Sequence, residues 1–320
     1  MREVQTVTGP RAADDLGMTL VHEHVRFRDE AVAEQWPHLY DAEQELTAAV
    51  EAVAAAKAHG VRTIVDPTAM FGGRDVRFMR TVSERTGVAI VACTGIYTYD
   101  HLPMFFQTRD VDAIAELFVR DITVGIQGTE IKAAFIKCAA DEPGVTPNVE
   151  KVHRAAARAS RETGAPIMAH TRPASNTGPR QLEIFLEEGV DPAKIQLAHT
   201  GDTDDLDYIL PLLEKGVYVG LDRYGLEMFL PLDRRNETAL ALIERGYAER
   251  ILLSQDYCAT IDWFPPEAVE QLIAGGAVRE DWSMTLIFEQ VLPVLRERGL
   301  SADQERTILI DNPRRWLVGS

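Results

Sequence analysis

Residues 165–202 read APIMAHTRPASNTGPRQLEIFLEEGVDPAKIQLAHTGD, and this stretch decides the fold class. Two short apolar runs, APIMAHT (165–171) and IQLAHTGD (195–202), flank an amphipathic segment at 179–188. Apolar runs of this length that end in turn residues predict strands covered on both faces, and the segment between them has a helical period. The stretch therefore predicts a strand–helix–strand unit of a parallel sheet.

The same alternation extends along the chain. Six further runs predict strands, namely MTLVH (18–22), RTIVD (62–66), VAIVACTG (88–95), IKAAFIKCA (131–139), VYVGLDR (217–223) and ILLSQD (251–256). Other helices are predicted at 41–59, 75–86, 111–125, 149–163, 204–215 and 237–245, with three after the last strand at 266–274, 283–298 and 302–310. Eight strand–helix units in 320 residues indicate an α/β fold, a (β/α)8 TIM barrel.

The main rival fold is a doubly wound open sheet. Such a sheet carries a glycine-rich phosphate loop after a strand, and neither G-x-G-x-x-G nor a P-loop occurs here. Gly72 and Gly73 follow the second predicted strand and are interpreted as turn residues. No Pro/Gly/Ser-rich linker divides the chain, so we expect one domain over 1–320, with a lead-in at 1–17 and a long loop at 257–282.

Charge and composition limit the partners. Fifty acidic residues against 33 basic ones give a net charge of -17, which disfavours nucleic-acid binding and anionic membrane surfaces. The first residues lack the apolar segment of a signal peptide, and the three cysteines, Cys93, Cys138 and Cys258, form no CxxC motif. The expectation is a cytoplasmic protein that acts on a small molecule.

Polar residues gather where the predicted strands end. They are His22 and His24 on the first strand, Lys137 on the fourth, His170 on the fifth, His199 on the sixth and Asp256 on the eighth. In a barrel these ends meet at one mouth, and residues two apart on a strand share a face, so His22 and His24 point together while Glu23 points away. A lone histidine of this kind is more often a core residue, but four with a carboxylate favour a metal site. The remaining histidines, His38, His59, His101 and His153, are expected at the surface.

Lys137 is unusual among metal ligands because its ammonium form would be repelled by metal cations and poorly solvated on a buried strand. A neutral lysine can take up carbon dioxide and become a carbamate whose two oxygens bridge two metals. The simpler alternative is a lysine paired with a nearby carboxylate. Cys138, next in sequence, is expected to face the helices.

These residues resemble, in order and in barrel position, the metal site of the phosphotriesterase branch of the amidohydrolase superfamily, with closest detail to the phosphotriesterase-like lactonases. The resemblance spans the chain. It is carried by VHEHV (21–25), FIKCA (135–139), MAHT (168–171), LAHTGD (197–202) and LSQDYC (253–258), together with VDPT (65–68), GRD (73–75), CTGIYTY (93–99), GLDRYG (220–225), CATIDW (258–263) and DNPRRWL (311–317).

The resemblance implies a binuclear centre at the mouth of the barrel. His22, His24 and Asp256 would hold the more buried ion, His170 and His199 the more exposed one, and a carbamate on Lys137 would bridge them. The metals would be Zn, Co, Fe or Mn, and a hydroxide shared by them would attack the substrate carbonyl. Asp256 would accept or relay the proton. The family also suggests a homodimer.

Other residues match positions near the substrate in these lactonases. Tyr97 would contact the substrate or its developing oxyanion, Arg223 would orient Asp256, and Asp202 would support the ligands from behind. The alternatives are a simple barrel-mouth tyrosine and an Arg223 salt bridge to Asp222 or Asp202. An apolar channel is expected from Tyr99, Leu226, Met228, Phe229, Cys258, Ile261, Trp263 and Phe264.

An apolar channel around one polar centre suits a ligand with a reactive head and an apolar tail. The resemblance implies that the protein is a lactonase, with N-acyl homoserine lactones as first candidates (quorum quenching) and weak phosphotriester hydrolysis beside it. The alternatives are a dedicated phosphotriesterase or other ester hydrolase, and a barrel that binds a ligand without catalysis. A mononuclear deaminase of the same superfamily is disfavoured by Lys137.

Overall fold

Each of the eight apolar runs contains a strand in the computed structural model, which describes residues 2–319. Four further strands form a hairpin at the amino terminus and a pair at the barrel mouth. In chain order the strands are β1 Glu3–Thr6, β2 Gly9–Ala12, β3 Met18–Leu20, β4 Glu23–His24, β5 Val61–Asp66, β6 Ala89–Gly95, β7 Phe135–Ala139, β8 Ile167–His170, β9 Ile195–Ala198, β10 Tyr218–Leu221, β11 Ile251–Leu253 and β12 Tyr257–Cys258.

The barrel sheet has the strand order β3-β5-β6-β7-β8-β9-β10-β11, with every neighbouring pair parallel. Helices connect consecutive strands and surround the sheet. The predicted (β/α)8 barrel is confirmed. Because all eight strands run the same way, their carboxyl ends meet at one mouth, which is where such barrels carry their chemistry.

The helices follow the predicted pattern with shifted ends. They are α1 Glu30–Gln35, α2 Ala42–Ala58, α3 Val76–Thr86, α4 Met104–Gln107, α5 Val111–Thr123, α6 Pro147–Thr163, α7 Thr177–Glu187, α8 Leu206–Glu214, α9 Leu232–Glu244, α10 Pro266–Ala274, α11 Leu292–Glu297, α12 Ala302–Arg306 and α13 Asn312–Val318. Single π turns, Ile287–Val291 and Thr307–Asp311, precede α11 and α13. Short 3-10 turns lie at Ala13–Asp15, Pro37–Leu39, Pro173–Ser175, Pro192–Lys194, Thr200–Asp202 and Ala248–Arg250.

Local sequence sets many helix ends. Asp41, Asp75 and Asp110 are N-caps whose carboxylates accept hydrogen bonds from backbone N–H groups in the first turn of α2, α3 and α5. Gly87 and Gly164 end α3 and α6 in the left-handed conformation, which glycine adopts without steric cost. The prediction was wrong for the start of α9, placed five residues late at position 237, because the cap at Pro231 has no side-chain acceptor to mark it.

The strands pack on two sides, as alternation requires. Ile136 and Cys138 of β7 belong to the core between the sheet and the helices, whereas Phe135 belongs to a separate cluster inside the barrel that also contains Trp316. Lys137, two residues after Phe135, shares its side of the strand and is 1% exposed. The packed interior therefore carries Lys137 toward the mouth, and Cys138 faces the helices as expected.

The ring closes at the mouth through Glu23. Its Oε1 accepts from Ser254 Oγ at 2.6 Å and from the Gln255 backbone N–H at 2.9 Å, and its Oε2 accepts from the Tyr257 N–H at 2.9 Å. Next to it, β4 pairs in parallel with β12, Glu23 opposite Tyr257. One buried carboxylate thus joins the end of the first barrel strand to the end of the last.

His153, expected at the surface, is completely buried in α6. Its Nδ1–H donates to the Val149 carbonyl oxygen at 2.8 Å, its Nε2 accepts from Gln181 Nε2 at 2.9 Å, and its ring stacks on Phe185. The prediction was wrong because a polar residue on an amphipathic pattern was read as outward-facing, although two specific partners satisfy both nitrogens in the helix layer. His38, His59 and His101 are exposed as predicted.

Within the described residues, no helix combines the length and the apolarity needed to span a membrane.

Replacing Glu23 by glutamine should destabilise the fold. The amide NH2 would face one of the donors of Ser254, Gln255 or Tyr257, which leaves a buried donor without an acceptor and costs about 1–3 kcal/mol. The urea midpoint, followed by far-UV circular dichroism, measures this loss. Glu51→Gln, on the exposed side of α2, should shift stability by less than about 0.5 kcal/mol. Equal midpoints for both variants would contradict a role for Glu23 in closure.

His153 should make stability depend on pH. Burial lowers the pKa of His153 to about 4, while an unfolded histidine titrates near its ordinary value of about 6.5. Between about pH 6.5 and 4 the unfolded chain binds a proton at His153 and the folded chain does not. The free energy of unfolding therefore falls as the pH drops from about 6.5 toward 4, by about 2 kcal/mol at pH 5. Thermal unfolding between pH 7 and 5 should show a shallower decline for His153→Gln than for the wild type, and an unchanged decline for the exposed His38→Gln.

Candidate metal centre

His22 and His24 project from the end of the first barrel strand, and the Nδ1 atom of each ring is held by a hydrogen bond. His22 Nδ1 lies 2.8 Å from Asp222 Oδ2, and His24 Nδ1 lies 2.6 Å from Thr68 Oγ1. Their Nε2 atoms therefore face inward, each 3.2 Å from Asp256 Oδ1. A hydrogen bond at Nδ1 that fixes the ring and leaves Nε2 free is the arrangement of metal-binding histidines.

His199 repeats this arrangement from the opposite side. Its Nδ1 lies 3.0 Å from Asp222 Oδ1, and its Nε2 lies 3.8 Å from Asp256 Oδ2. One carboxylate, Asp222, thus holds both His22 and His199. Burial lowers the pKa of His22 and of His199, so both rings stay neutral and offer lone pairs.

His170 is oriented by different partners. Its Nε2 lies 2.9 Å from Asp141 Oδ2, and its Nδ1 lies 3.2 Å from Tyr97 Oη. Burial is the main cause that lowers the pKa of His170 to about 4. The side chain is therefore a neutral imidazole whose Nδ1 faces the mouth next to Tyr97.

His199 and Asp256 both have left-handed backbones, with φ of 63° and 53°. This conformation costs a non-glycine residue of order 1 kcal/mol or more and persists where the surroundings enforce it. Asp222 Oδ1 accepts the His199 N–H at 2.7 Å, and the Asp256 N–H donates to the His22 carbonyl oxygen at 3.0 Å. Both residues turn their side chains into the shared site, and backbone strain of this kind is found at functional positions.

Asp256 lies at the centre of the group. Burial by itself would raise its pKa, but His22, His199, His24 and Arg223 together hold the pKa of this carboxyl well below its usual range. Arg223 Nε donates to Asp256 Oδ2 at 2.9 Å. Asp256 is therefore a carboxylate at neutral pH, which a metal ligand or a proton acceptor must be.

Lys137 is buried beside these groups without a counter-ion. Its Nζ lies 3.3 Å from His22 Nε2 and 3.4 Å from Met168 Sδ, and it forms no ion pair with any residue in 2–319. Burial lowers the pKa of Lys137 to about 8, although Asp256 opposes the shift. The alternative of a lysine paired with a carboxylate is wrong for this structure. Gly95 packs against this residue with φ of +118°, and a Cβ there would lie 1.9 Å from the Lys137 carbonyl oxygen, so only glycine fits.

The donor set fits divalent metal ions. Ligand atoms of His22, His199 and Asp256 all lie within 4.8 Å of one another. Neutral imidazoles with an aspartate suit zinc, cobalt, iron or manganese, and an unpaired buried amine beside them suits carboxylation to a bridging anion. The structure brings all six residues of the expected ligand set to one mouth, although His24, His170 and Lys137 stand outside the 4.8 Å group.

Tyr97 and Arg223 flank the donors. Tyr97 Oη lies 2.7 Å from Tyr99 Oη as well as near His170, and burial raises the pKa of Tyr97, so it is a neutral hydroxyl. Arg223 bridges Asp256 and Asp202, with Nη1 2.9 Å from Asp202 Oδ2. Of the two salt bridges considered as alternatives for Arg223, the one to Asp202 forms and the one to Asp222 does not.

A cavity of about 320 Å³ opens above the donors. All the residues expected for an apolar channel line it, with Phe27, Val269, Leu272, Val278 and Trp282 in addition. The loop after the last barrel strand, which lines the cavity, is fixed to the segment that follows β4. Asp262 in this loop accepts a hydrogen bond from the Tyr40 hydroxyl at 2.6 Å and another from the Asp29 N–H at 3.0 Å. The lining is apolar apart from its inner end and Asp141 and Arg172.

Several site residues were missed in the sequence. Asp222 is the next-to-last residue of the run VYVGLDR and Asp141 closely follows FIKCA, so the rule of polar strand ends already pointed to both. Thr68 and Arg172 carried no such signal, because each lies in a loop beyond its strand and contacts the site only through folding.

The chain matches the family model described as "Phosphotriesterase family" over residues 2–317. It is 52% identical over 304 residues to the "Aryldialkylphosphatase" of Saccharolobus solfataricus, with 94% of this chain and 95% of that protein covered. It is 38% identical over 323 residues to a "Phosphotriesterase homology protein" of Mycobacterium tuberculosis, with 98% and 97% covered.

The solved "Structure of the phosphotriesterase from Mycobacterium tuberculosis" superposes with a TM-score of 0.93 at 38% identity, covering 99% of this chain and 98% of that one. The barrel and the cluster of possible metal ligands at its mouth thus define the protein as a hydrolase by class. The chain belongs to the phosphotriesterase family.

Asp222→Asn should weaken metal binding without unfolding the protein. The amide NH2 would donate to His22 Nδ1 or His199 Nδ1, which moves the ring proton to Nε2 and blocks the lone pair facing the site. Loss of such a supporting partner typically costs ten- to a hundredfold in affinity. Competition with a chelating dye for zinc measures it, with the exposed Asp207→Asn as control. Wild-type affinity in Asp222→Asn would show that Asp222 does not set the tautomers.

Proposed function

We propose that this protein is a metal-dependent lactonase that hydrolyses N-acyl homoserine lactones and, more weakly, phosphotriesters. One observation carries the proposal: a channel with mostly apolar walls opens over His24 and Asp256, which belong to a cluster of six candidate metal ligands. A substrate with one hydrolysable polar head and an apolar tail matches that arrangement.

His22, His24 and Asp256 would hold one ion, His170 and His199 a second, and a carbamate on Lys137 would bridge them. When bound, such ions polarise an ester carbonyl and lower the pKa of water toward neutrality. Lys137 supports the assignment because it is buried, has no counter-ion and loses its proton easily.

The chain's own residues would handle the proton and the orientation. Asp256, ionised and reachable from the channel, accepts the proton of the attacking water and returns it to the ring oxygen when the ester C–O bond breaks. Arg223 keeps Asp256 in place through its Nε bond, and Tyr97 donates its hydroxyl hydrogen to the substrate carbonyl region. The product is an open-chain hydroxy acid.

The channel supports an acyl tail. Leu226, Met228, Phe229, Ile261 and Trp263 line it above the donors, and the side chains of Met228, Phe229 and Trp263 are partly exposed at its outer part. Burial of a long acyl chain against such side chains contributes about 0.8 kcal/mol for each CH2 group. The acyl chain would therefore add affinity with length until it fills the cavity.

A second candidate is a dedicated phosphotriesterase. It is favoured by the 52% identity to a protein named aryldialkylphosphatase. The same donors suit either reaction, because carbonyl and phosphoryl substrates both develop negative charge on an oxygen beside the metals. A non-catalytic barrel is disfavoured, since no member of the ligand set is missing.

Cobalt- or zinc-loaded protein should hydrolyse N-acyl homoserine lactones with kcat/KM that rises with acyl length. A pH-indicator assay measures ring opening, with paraoxon hydrolysis in parallel at matched enzyme concentration. Lys137→Ala and a chelated sample should each lose at least about a hundredfold in rate, because both remove the bridged ions. The exposed Lys215→Ala should retain full activity.

If paraoxon is hydrolysed with the higher kcat/KM, the second candidate replaces the first. If metal binds at two ions per chain and neither substrate is cleaved, the metal site stands and both substrate classes are wrong. If no metal binds, the metal-dependent mechanism fails.

A further inference from the structure

Two arginines line the channel, and only one of them is fully used by the protein. Arg223 donates from Nε to Asp256 and from Nη1 to Asp202, and its guanidinium lies 4.4 Å from the Phe229 ring centroid. The side chain is only 10% exposed. Arg223 is therefore committed to positioning Asp256 and has little left for a substrate.

Arg172, in contrast, has donors without hydrogen-bond partners in the described part of the chain. Its Nη1 donates to Asp141 Oδ1 at 3.1 Å, while its Nε lies 3.5 Å from Glu142 Oε1 without hydrogen-bond geometry. Its Nη2 forms no hydrogen bond with any residue in 2–319, and the side chain is 37% exposed. Arg172 thus offers an unused donor at the wall of the channel.

Its loop holds Arg172 in place. The Arg172 N–H donates to Thr177 Oγ1 at 2.7 Å, and Ser175 Oγ donates to Glu142 Oε1 at 2.5 Å, which ties the loop after β8 to the loop after β7. Asp141 joins the guanidinium to the site, because its other oxygen is bonded to His170 Nε2. Arg172 therefore lies two hydrogen bonds from a residue of the reacting centre.

The charges around Arg172 select the kind of acceptor. Asp141 and Glu142 are both within ion-pair distance and together offset its positive charge. An anionic substrate group would meet these two carboxylates, whereas a neutral carbonyl oxygen accepts from Nη2 without that repulsion. The local electrostatics favour an uncharged acceptor.

We propose that Arg172 is a specificity-determining residue that donates from Nη2 to the amide carbonyl oxygen of an N-acyl lactone. The proposal rests on the proposed lactonase function. In an N-acyl homoserine lactone the amide is attached to the carbon next to the ester carbonyl, so it lies close to the reacting centre at the base of the tail. Arg172 lines the same channel and is joined to His170 through Asp141, which places it near the reacting centre.

The test compares two substrates that differ in the amide. Arg172→Met and the wild type, both metal-loaded, are assayed on an N-acyl homoserine lactone and on a γ-alkyl lactone of equal chain length, which lacks the amide. Arg172→Met should raise KM for the N-acyl lactone about ten- to a hundredfold, with kcat within about twofold. For the γ-alkyl lactone both constants should stay within about twofold.

Arg180→Met is the matched control, since Arg180 is 38% exposed, ion-paired, and outside the channel. It should leave both substrates unchanged. If the methionine variant loses metal, Arg172→Gln replaces it, because its amide can still donate to Asp141.

A parallel loss on both lactones, or a fall in kcat alone, would reduce Arg172 to a support for Asp141 and His170 and overturn the proposal. Inhibition by the ring-opened product of the γ-alkyl lactone, a hydroxy carboxylate without the amide, gives a second test: weaker inhibition of Arg172→Met than of wild type would mean that Arg172 binds a carboxylate instead. If the wild type cleaves neither lactone, the proposed lactonase function has failed, a result distinct from failure of the arginine assignment.

Discussion

The three hydrogen bonds accepted by Glu23 are the constraint on which the site depends, because they join the first barrel strand to the last. His22 and His24 leave the first strand, and Asp256 leaves the last, so their 3.2 Å approaches exist only when that seam is closed. In an open sheet of the same strand order these residues would stand at opposite edges. Closure therefore creates the donor set, and the buried Glu23 carboxyl acts in it together with the backbone hydrogen bonds from Asp256 to His22 and from Ala259 to His24.

Burial then decides the protonation of the groups that closure brings together. Burial keeps His22, His170 and His199 neutral and lowers the pKa of Lys137 to about 8. Asp256 stays ionised against the same burial because histidines and Arg223 surround it. These protonation states suit cationic metal ions and a carbamate, because neutral imidazoles and a carboxylate offer lone pairs without adding positive charge to the site.

The wall of the channel consists mostly of apolar side chains, with a few polar groups held in place by hydrogen bonds. Asp262 accepts hydrogen bonds from Tyr40 and Asp29, which fixes the loop after the last strand to the segment that follows the first barrel strand. Arg223 and Arg172 have different roles. Arg223 donates hydrogen bonds to two carboxylates, whereas Arg172 has an N–H donor, on Nη2, that no residue in 2–319 accepts. Specificity in such a channel comes from the few donors left unpaired more than from its apolar area, which many tails would fill.

The sequence by itself determined the alternation of strands and helices, the parallel barrel and the strand-end residues His22, His24, Lys137, His170, His199 and Asp256, because periodicity and strand-end position are local properties of the chain. It did not reveal that His153 is buried, since the Gln181 side chain that satisfies it comes from another helix. Only the tertiary structure decided that Asp222 holds two histidines, that Thr68 holds a third, that Lys137 has no counter-ion and that Arg172 keeps a free donor. Hydrogen-bond partners, and with them tautomers and charges, depend on which distant residues meet when the ring closes, and no local pattern encodes that meeting.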